Sequence, residues 1–577
     1  MAGRRGSSQE GGNKMKDNGM EQFRTGKRQI RAFDEKRQIA QSWRSMHNNL
    51  LVLFFMAGLS ALVSKADTNA LAPSPAAISA ASLPATMRDS GTHTNKTRYL
   101  TLNECIKIAL EHNLDIKIQE FNPRINQFAL NGSYGTYEPD FTFNGSKSYT
   151  DNPPSGGAIN PATGLAYPSS ISEVDNYAPG ITGSLPTGLK YDLFSQLNRN
   201  SILNTPANSG GYYLPPTWSS DAGISLDQPL LQNFWIDSTR LNIRLNKITL
   251  KTSEAGLRLQ IMTTITAVQA AYYNLLYDIG NVEANTTAYQ LAEQLVAENH
   301  KRVEVGSLSP LDEKQSASQA AANLAAVQAA QHVEDVQENT LKTLLSENYT
   351  EWVDTSIIPA EELEANPRPL DLQESWRRAV TQRPDLLEAK LKVESQNVTL
   401  KYDYNQRFPA LDLKGSYGRN ANRGGLYENL GDIRDGDHSF YSYGIAANVP
   451  LGGNVNARNK YRADKETLQQ LLIQLKQAEQ NILVAVDNDV SQVRSTLQQV
   501  YATRDARIYA QDALDAEKTK LAQGKSTSFI VLQLISNLTT ARVNEIQALA
   551  NYNIALSQLD FDEGNTIDAN HIDLSVK

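Results

Sequence analysis

The sequence predicts a mainly α protein in which short amphipathic strands feed very long helices that double back at tight tips. Three observations carry this fold class. A helix-stop and helix-start pattern occurs twice, around Gly306 and Gly524. Two segments correspond without a gap at a constant offset of 270 residues. Apolar residues recur on a seven-residue grid within two stretches that each support a helix of about 65 residues.

Length and composition narrow the class. The chain has 577 residues, a net charge of −8 and a pI near 5.6, which gives no basic footprint for nucleic acid. A mean hydropathy of −0.44 argues against a bundle of membrane helices. The one long apolar run, Leu50 to Val63, is short of the ~20 residues that a spanning helix needs. Arg24, Lys27, Arg28, Arg31, Lys36, Arg37 and Arg44 precede it, and Ser64-Lys65-Ala66 places small residues before a cleavage point. Residues 1–66 therefore read as a signal peptide with a long basic n-region, and Met15, Met20 and Met46 are alternative starts. A membrane-anchoring helix is the other reading of the same run. Residues 67–98, rich in Ala, Ser, Pro and Thr, read as a flexible linker.

Cys105 is the single cysteine, so one chain can form neither a disulfide framework nor a cysteine zinc site. It lies in a helical pattern and reads as a small buried apolar residue. No cysteine follows the signal to accept a lipid.

Ordered structure is expected to begin at Leu100-Thr101-Leu102-Asn103-Glu104. Thr101 caps a helix with apolar positions Cys105, Ile106, Ala109 and Leu110, and a second helix runs from about Asp115 to Asn131. Thr101/Asp371, Leu102/Leu372, Glu104/Glu374, Asp115/Asp385, Pro139/Pro409 and Gly145/Gly415 all stand 270 residues apart, which marks an internal duplication. The repeats are placed at 99–360 and 368–561, with a polar tail at 562–577. Further on, Pro229 pairs with Pro450 and Gly306 with Gly524, at offsets of 221 and 218. About 49 residues are thus extra in the first copy, within a Gly-, Pro-, Ser- and Asn-rich stretch from 151 to 220.

Strand-like alternation surrounds and enters that insert. Tyr191, Leu193 and Leu197 alternate with polar neighbours, as do Ala222, Ile224 and Leu226. The second copy repeats the pattern at Leu411 and Leu413, then at Tyr441, Tyr443 and Ile445. The long stretches follow. Ile261, Ile265, Val268, Tyr272, Leu275, Ile279 and Val282 step by four and three. Leu468, Leu472, Leu475, Ile482, Val486 and Val493 do the same, with Glu479 and Asp489 as polar exceptions.

Each stretch ends at a tip. Gly306 can stop a helix in a left-handed conformation. Ser309, Pro310 and Asp312 then supply an N-cap, a first helical residue and a capping acid. The stretch from Lys520 to Ser528 repeats this arrangement around Gly524. An exported chain with amphipathic strands can use them in lipid only as a closed barrel, because lipid satisfies no backbone polar group. Few strands per chain require several chains, and helices of roughly 100 Å would extend the barrel as a tube. The residues thus lead to an oligomeric membrane conduit.

The segment Leu100–Glu104 with Leu114-Asp115, its repeat at 370–386, the strand end Gln228-Pro229-Leu230-Leu231 and the tips Val305-Gly306 and Gln523-Gly524 resemble the TolC-like outer membrane efflux protein family. The resemblance spans about 99 to 561, in both copies and in order. It implies a homotrimer in which an outer-membrane β-barrel continues into a periplasmic α-barrel, with four strands per protomer in a twelve-stranded wall. It further implies an exit duct of a tripartite efflux or secretion system, located in the cell outer membrane. The implied partners are itself, a periplasmic adaptor protein, an inner-membrane transporter and outer-membrane lipid.

The same resemblance implies which tip residues meet the adaptor: Val305, Gly306, Ser307, Leu308, Gly524, Lys525 and Ser526. The periplasmic aperture falls at Asp312, Leu521, Ile530 and Gln533. Two departures stand out. The insert at 151–220 either adds a hairpin or enlarges the extracellular loops. Ile530 and Gln533 stand where some family members carry acids, so an acidic constriction ring is not expected.

Rival classes fare worse. Gly524-Lys525-Ser526 lacks the glycine that a phosphate-binding loop needs at position 519, where Thr519 stands, and it follows a helix. His112, His300, His332 and His438 show no ligand spacing. No enzyme, cofactor or metal site is expected. A periplasmic adaptor or a coiled-coil structural protein is the alternative, but neither accounts for the duplicated strand, long helix, tip and helix.

Overall fold

The computed structural model describes residues 96–153, 164, 170–204, 215–436 and 438–572. The expected signal peptide and most of the expected linker lie outside the described residues. The first repeat contains β1 (Lys96–Leu100), α1 (Leu102–His112), α2 (Leu114–Ser133), β2 (Asp140–Asn152), β3 (Ser170–Ser184), β4 (Lys190–Asn204) and β5 (Thr217–Pro229). It continues with α3 (Ser238–Glu304), α4 (Pro310–Leu345) and β6 (Thr355–Pro359). The second contains α5 (Leu372–Gln382), α6 (Pro384–Asn405), β7 (Ala410–Arg423), α7 (Leu426–Asp435) and β8 (Ser439–Asn448). Then follow α8 (Val455–Ala522), α9 (Ser528–Asp562) and the short α10 (Thr566–Ala569).

The duplication is visible element by element. Helices α1 and α5 each have 11 residues, and their first residues are the 270-offset pair Leu102 and Leu372. α1 starts on a complete capping box: the Glu104 amide donates to Thr101 Oγ1 at 3.3 Å, and the Thr101 amide donates to Glu104 Oε2 at 2.9 Å. In α5 the Asp371 carboxylate accepts from the Gln373 amide at 3.0 Å. Cys105 is fully buried, and burial pushes its thiol up to about 12. β1, whose first three residues fall within the expected linker, pairs in parallel with β6 and ties the repeat's start to its end.

The long helices have 67 and 68 residues, or roughly 100 Å each. No single partner covers that length. α3 packs on α2 toward the strands and on α4 toward the tip, and α8 packs likewise on α6 and α9. α3 also contacts α6 and α9, so the two repeats share one interior. The expected seam is buried at Ile261, Ile265, Val268, Tyr272 and Leu275. On α8 it is buried at Ile482, Val486 and Val493, whereas Leu472 and Ile473 remain exposed nearer the strands. The tail expected to be polar is partly packed, since Ile567 joins the apolar cluster around Tyr272 and Leu341.

Six strands form one antiparallel sheet in the order β2-β3-β4-β5-β7-β8. They have 10 to 15 residues each and are longer than the short strands expected. The insert accordingly adds a hairpin, β3–β4, in place of mere loop. One face carries Phe141, Phe143, Ile181, Tyr191, Leu193, Ile224, Leu226, Leu413, Tyr417, Tyr443 and Ile445, by strand alternation and cross-strand register. The opposite face carries Thr142, Asn144, Asp192, Gln196, Ser225, Asp227, Lys414 and Ser442. Two glycines on this polar face bring strands close. A Cβ on Gly223 would meet the Tyr417 carbonyl oxygen at 2.4 Å, and one on Gly418 the Ala222 carbonyl oxygen at 2.7 Å. The rings of Phe194 and Phe440 reach over these glycines, with centroids 6.4 Å apart. α7, which sequence periodicity did not reveal, lies against the far ends of β5 and β7, where Asn429 donates to the Trp218 carbonyl at 2.7 Å.

A half-buried acid with one shielded carboxyl oxygen makes the interior pH-sensitive. Burial, and then the neighbouring Asp562 carboxyl, push Asp489 up to about 8. Asp562 is held low despite its burial, through Asp489, Gln558 and Arg383. Asp489 thus keeps its proton in the folded chain at pH values where the unfolded chain has released it. Stability from this group is full below the ordinary Asp range and falls as pH rises toward about 8. Asp489→Asn keeps a donor toward Asp562 and removes that loss. Relative to the parent, its melting temperature should gain more at pH 8 than at pH 5; an equal difference at both would refute the assignment.

Candidate functional site: the paired helical tips

Both tips close by the same backbone device. Gly306 and Gly524 each adopt φ of +71°. At the first, the Ser307 amide donates to the Arg302 carbonyl at 2.8 Å and the Gly306 amide to the Val303 carbonyl at 2.9 Å. At the second, the Lys525 amide donates to the Lys520 carbonyl at 2.9 Å and the Gly524 amide to the Leu521 carbonyl at 3.0 Å. These are paired Schellman closures, which satisfy helix-end carbonyls that would otherwise lack donors. An added Cβ would meet nothing within 4 Å at either glycine, so only the backbone conformation demands glycine there.

The outgoing helices start as the sequence indicates, with one correction. Ser309 accepts from the Leu311 amide at 3.2 Å, and Pro310 takes the first helical position. Asp312 lies in the first turn, where its charge suits the helix dipole, but no capping box closes through it. His300 instead links the two arms of the first tip, with Nδ1 3.0 Å from Glu313 Oε1 and Nε2 3.3 Å from Glu304 Oε1. In the second, the Ser526 hydroxyl donates to Glu517 Oε1 at 2.5 Å, and Lys520 Nζ lies 2.9 Å from Glu517 Oε2. These bonds and the ion pair hold Glu517 below the usual carboxylate range.

The two tips are neighbours within one chain. The buried Ser528 hydroxyl donates to Asn299 Oδ1 at 2.8 Å, and joins the start of α9 to the last turns of α3. Around this bond Ala292, Leu295, Leu514, Leu521, Val531, Leu532 and Ile535 form an apolar core. Leu521 is only 7% exposed there, so within this chain its side chain has no free surface to line an aperture. Ile530 and Gln533 are exposed, and Gln533 donates to Asn537 Oδ1 at 3.1 Å. Val305, Gly306, Ser307, Gly524 and Lys525 are exposed, and Leu308, Asp312 and Ser526 are half-buried.

Sequence reading passed over one matched pair. Leu311 and Phe529 each occupy the second position of an outgoing helix and are 64% and 62% exposed. Superposing the repeats by their tip glycines would have found them. With Val305 at 78%, they give the tips an apolar end that none of the described residues covers. Among the described residues, no group of three or more His, Cys, Asp or Glu side chains could hold a metal ion, and no helix is long and apolar enough to cross a membrane.

Comparison with known proteins agrees with this architecture. Residues 376–562 match the family model described as outer membrane efflux protein. The chain is 23% identical over 309 residues to outer membrane protein TolC of Escherichia coli (strain K12), a match covering 52% of this chain and 60% of that protein. Among solved structures, the outer-membrane channel OprN superposes with a TM-score of 0.60 at 16% identity, over 81% of this chain and 90% of that one. The CmeC outer membrane channel of Campylobacter jejuni gives 0.57 at 16% identity, over 82% and 90%. CusC gives 0.58 at 13% identity, over 83% and 95%. These matches are named as channels and outer membrane proteins, not as enzymes, and they do not support the adaptor or structural alternative.

Because the tip glycines are required by backbone alone, Gly306→Ala and Gly524→Ala should each loosen their own tip by about 1 kcal/mol, the cost of a left-handed non-glycine residue. Hydrogen exchange should quicken at the amides of 303–312 or 521–530 and stay unchanged near Tyr272. Unchanged exchange at the tips would contradict the assignment.

Proposed function

We propose a passive exit duct, on the premise that this chain is a TolC-like outer membrane efflux protein, located in the outer membrane with a large periplasmic helical part. Three protomers would close a β-barrel in the membrane, and their long helices would continue it as a tube across the periplasm. The observation that carries this reading is the two-faced antiparallel sheet joined directly to helices of 67 and 68 residues. Such a sheet is stable in lipid only when closed, since open edges leave backbone groups without partners. An outward face of apolar side chains and a lining of Asp, Lys, Asn and Ser suit lipid outside and water inside.

The tips would form the periplasmic end. Val305, Gly306, Ser307, Leu308, Gly524, Lys525 and Ser526 would meet a periplasmic adaptor, joined by the exposed Leu311 and Phe529. Asp312, Ile530 and Gln533 would border the aperture, and Leu521 would support it from the core. With Ile530 and Gln533 in those places, no acidic ring and no cation preference is assigned. An inner-membrane transporter would supply energy, and the duct itself would only open and close as the tip hairpins move apart.

Opening requires the contact between tips to break. Purified protein in planar lipid bilayers should conduct poorly, and Asp312→Cys with Gln533→Cys, oxidised to link neighbouring tips, should conduct no better. Asn299→Ala with Ser528→Ala should raise the conductance several-fold. Unaltered conductance in that variant would reject gating at the tips, and recovery of the full chain as a soluble monomer would reject the duct itself.

A further inference from the structure

We infer that the sheet's two free edges are self-complementary, and that β8 of one chain pairs with β2 of a second copy to close an eighteen-stranded barrel. This rests on the trimeric duct proposed above and adds what the wall is made of. β2 and β8 are the outer strands of the sheet, with 13 and 10 residues. Every residue of β2 is exposed, as is all of β8 except the half-buried Phe440. Neither strand contains proline, β8 carries no charged side chain, and the charges on β2 are Asp140, Lys147 and Asp151. Edges meant to stay open are usually short, charged or interrupted. Both are long and uninterrupted, and β8 is uncharged, which suits pairing.

Direction and facing both permit the seam. β2 leads away from the helices and β8 leads back to them, so copies arranged around an axis bring the two edges together antiparallel. An even number of strands per chain is what lets this alternation close. Phe141 and Phe143 on β2 share the apolar face with Tyr443 and Ile445 on β8, while Asn144 and Ser146 share the polar face with Ser442. A seam between copies therefore continues both faces without a break.

The inserted hairpin belongs to this wall. β3 pairs with β2 along its whole length, from Asp140↔Thr182 to Asn152↔Ser170, and β4 pairs with β5 from Lys190↔Asp227 to Asn200↔Thr217. Phe194 of β4 meets Phe440 of β8 across β5 and β7, over the glycines that allow that approach. A hairpin folded out of the wall would lose this contact and both ladders. Three copies of six strands then give eighteen.

Strand number sets the bore. At ~4.8 Å between strands and a tilt of ~40°, eighteen strands close at a diameter of about 36 Å, against about 24 Å for twelve. Barrels of that size hold an aqueous channel. The membrane section would then be wider than a twelve-stranded duct, and the helical tube and tips would set the largest cargo that passes.

Electron cryomicroscopy of the detergent-extracted full chain tests this directly. A three-fold particle with eighteen strands in its wall is the expected result. A three-fold particle with a twelve-stranded wall and residues 170–204 displaced would overturn this inference and leave the trimeric duct standing. A particle without three-fold symmetry would overturn both. In membranes, cysteines placed singly along β8 from 440 to 446, together with Ser146→Cys on β2, should give intermolecular disulfides at one register. Disulfides at no position would also overturn the seam.

Discussion

Two helices of 67 and 68 residues must bury an apolar stripe along roughly 100 Å, and nearly everything else in the chain follows from that requirement. Isolated helices gain little stability from propensity, so each long helix needs a packed partner over most of its length. The chain meets this with two partial partners per long helix, one arriving from the strands and one returning from the tip. Where those partners end and meet, short elements fill the gap. β1 and β6, α1 and α5, and the tail after Asp562 all pack there against the middle of the long helices.

The same geometry separates the regions by chemistry. The middle is stapled by polar groups as well as by apolar burial, with Tyr272 donating to the Leu100 carbonyl at 3.2 Å and Tyr552 to the Asn366 carbonyl at 2.8 Å. It also holds the half-buried Asp489. The tips have a thinner core and depend on one buried bond between Ser528 and Asn299. A region meant to open should be held by few interactions, and this end of the chain fits that description. The sheet, in contrast, has almost no core of its own. Its strands are held by ladders, and its apolar side chains remain exposed on one face.

Several features were legible because they depend on local chemistry. Gly306 and Gly524 signal left-handed residues, and Thr101 with Glu104 signals a helix start, whatever lies nearby. The seven-residue grid placed Ile265 and Val268 inside. Other features were hidden for a physical reason. α7 is too short to show a period, and it is held by Arg419 of β7 and by Asn429, whose partner Trp218 lies 211 positions away. Leu521 reads as an aperture residue by position, and its side chain packs into a core shared by the helices of both tips. Tyr191, Leu193 and Leu197 marked β4, but the insert's loop-like composition concealed β3, because glycines and serines on a sheet read the same as a turn.

The sequence alone determined the duplication, the lengths of the long helices, the two tips and the alternation of most strands. These are set by period, by caps and by backbone preference within a few residues. Tertiary structure alone decided that the inserted segment joins one six-stranded sheet, which tip side chains face solvent, and that the two tips are bound together through Ser528 and Asn299. Those outcomes depend on register and on contacts between residues more than two hundred positions apart, and no local pattern records them.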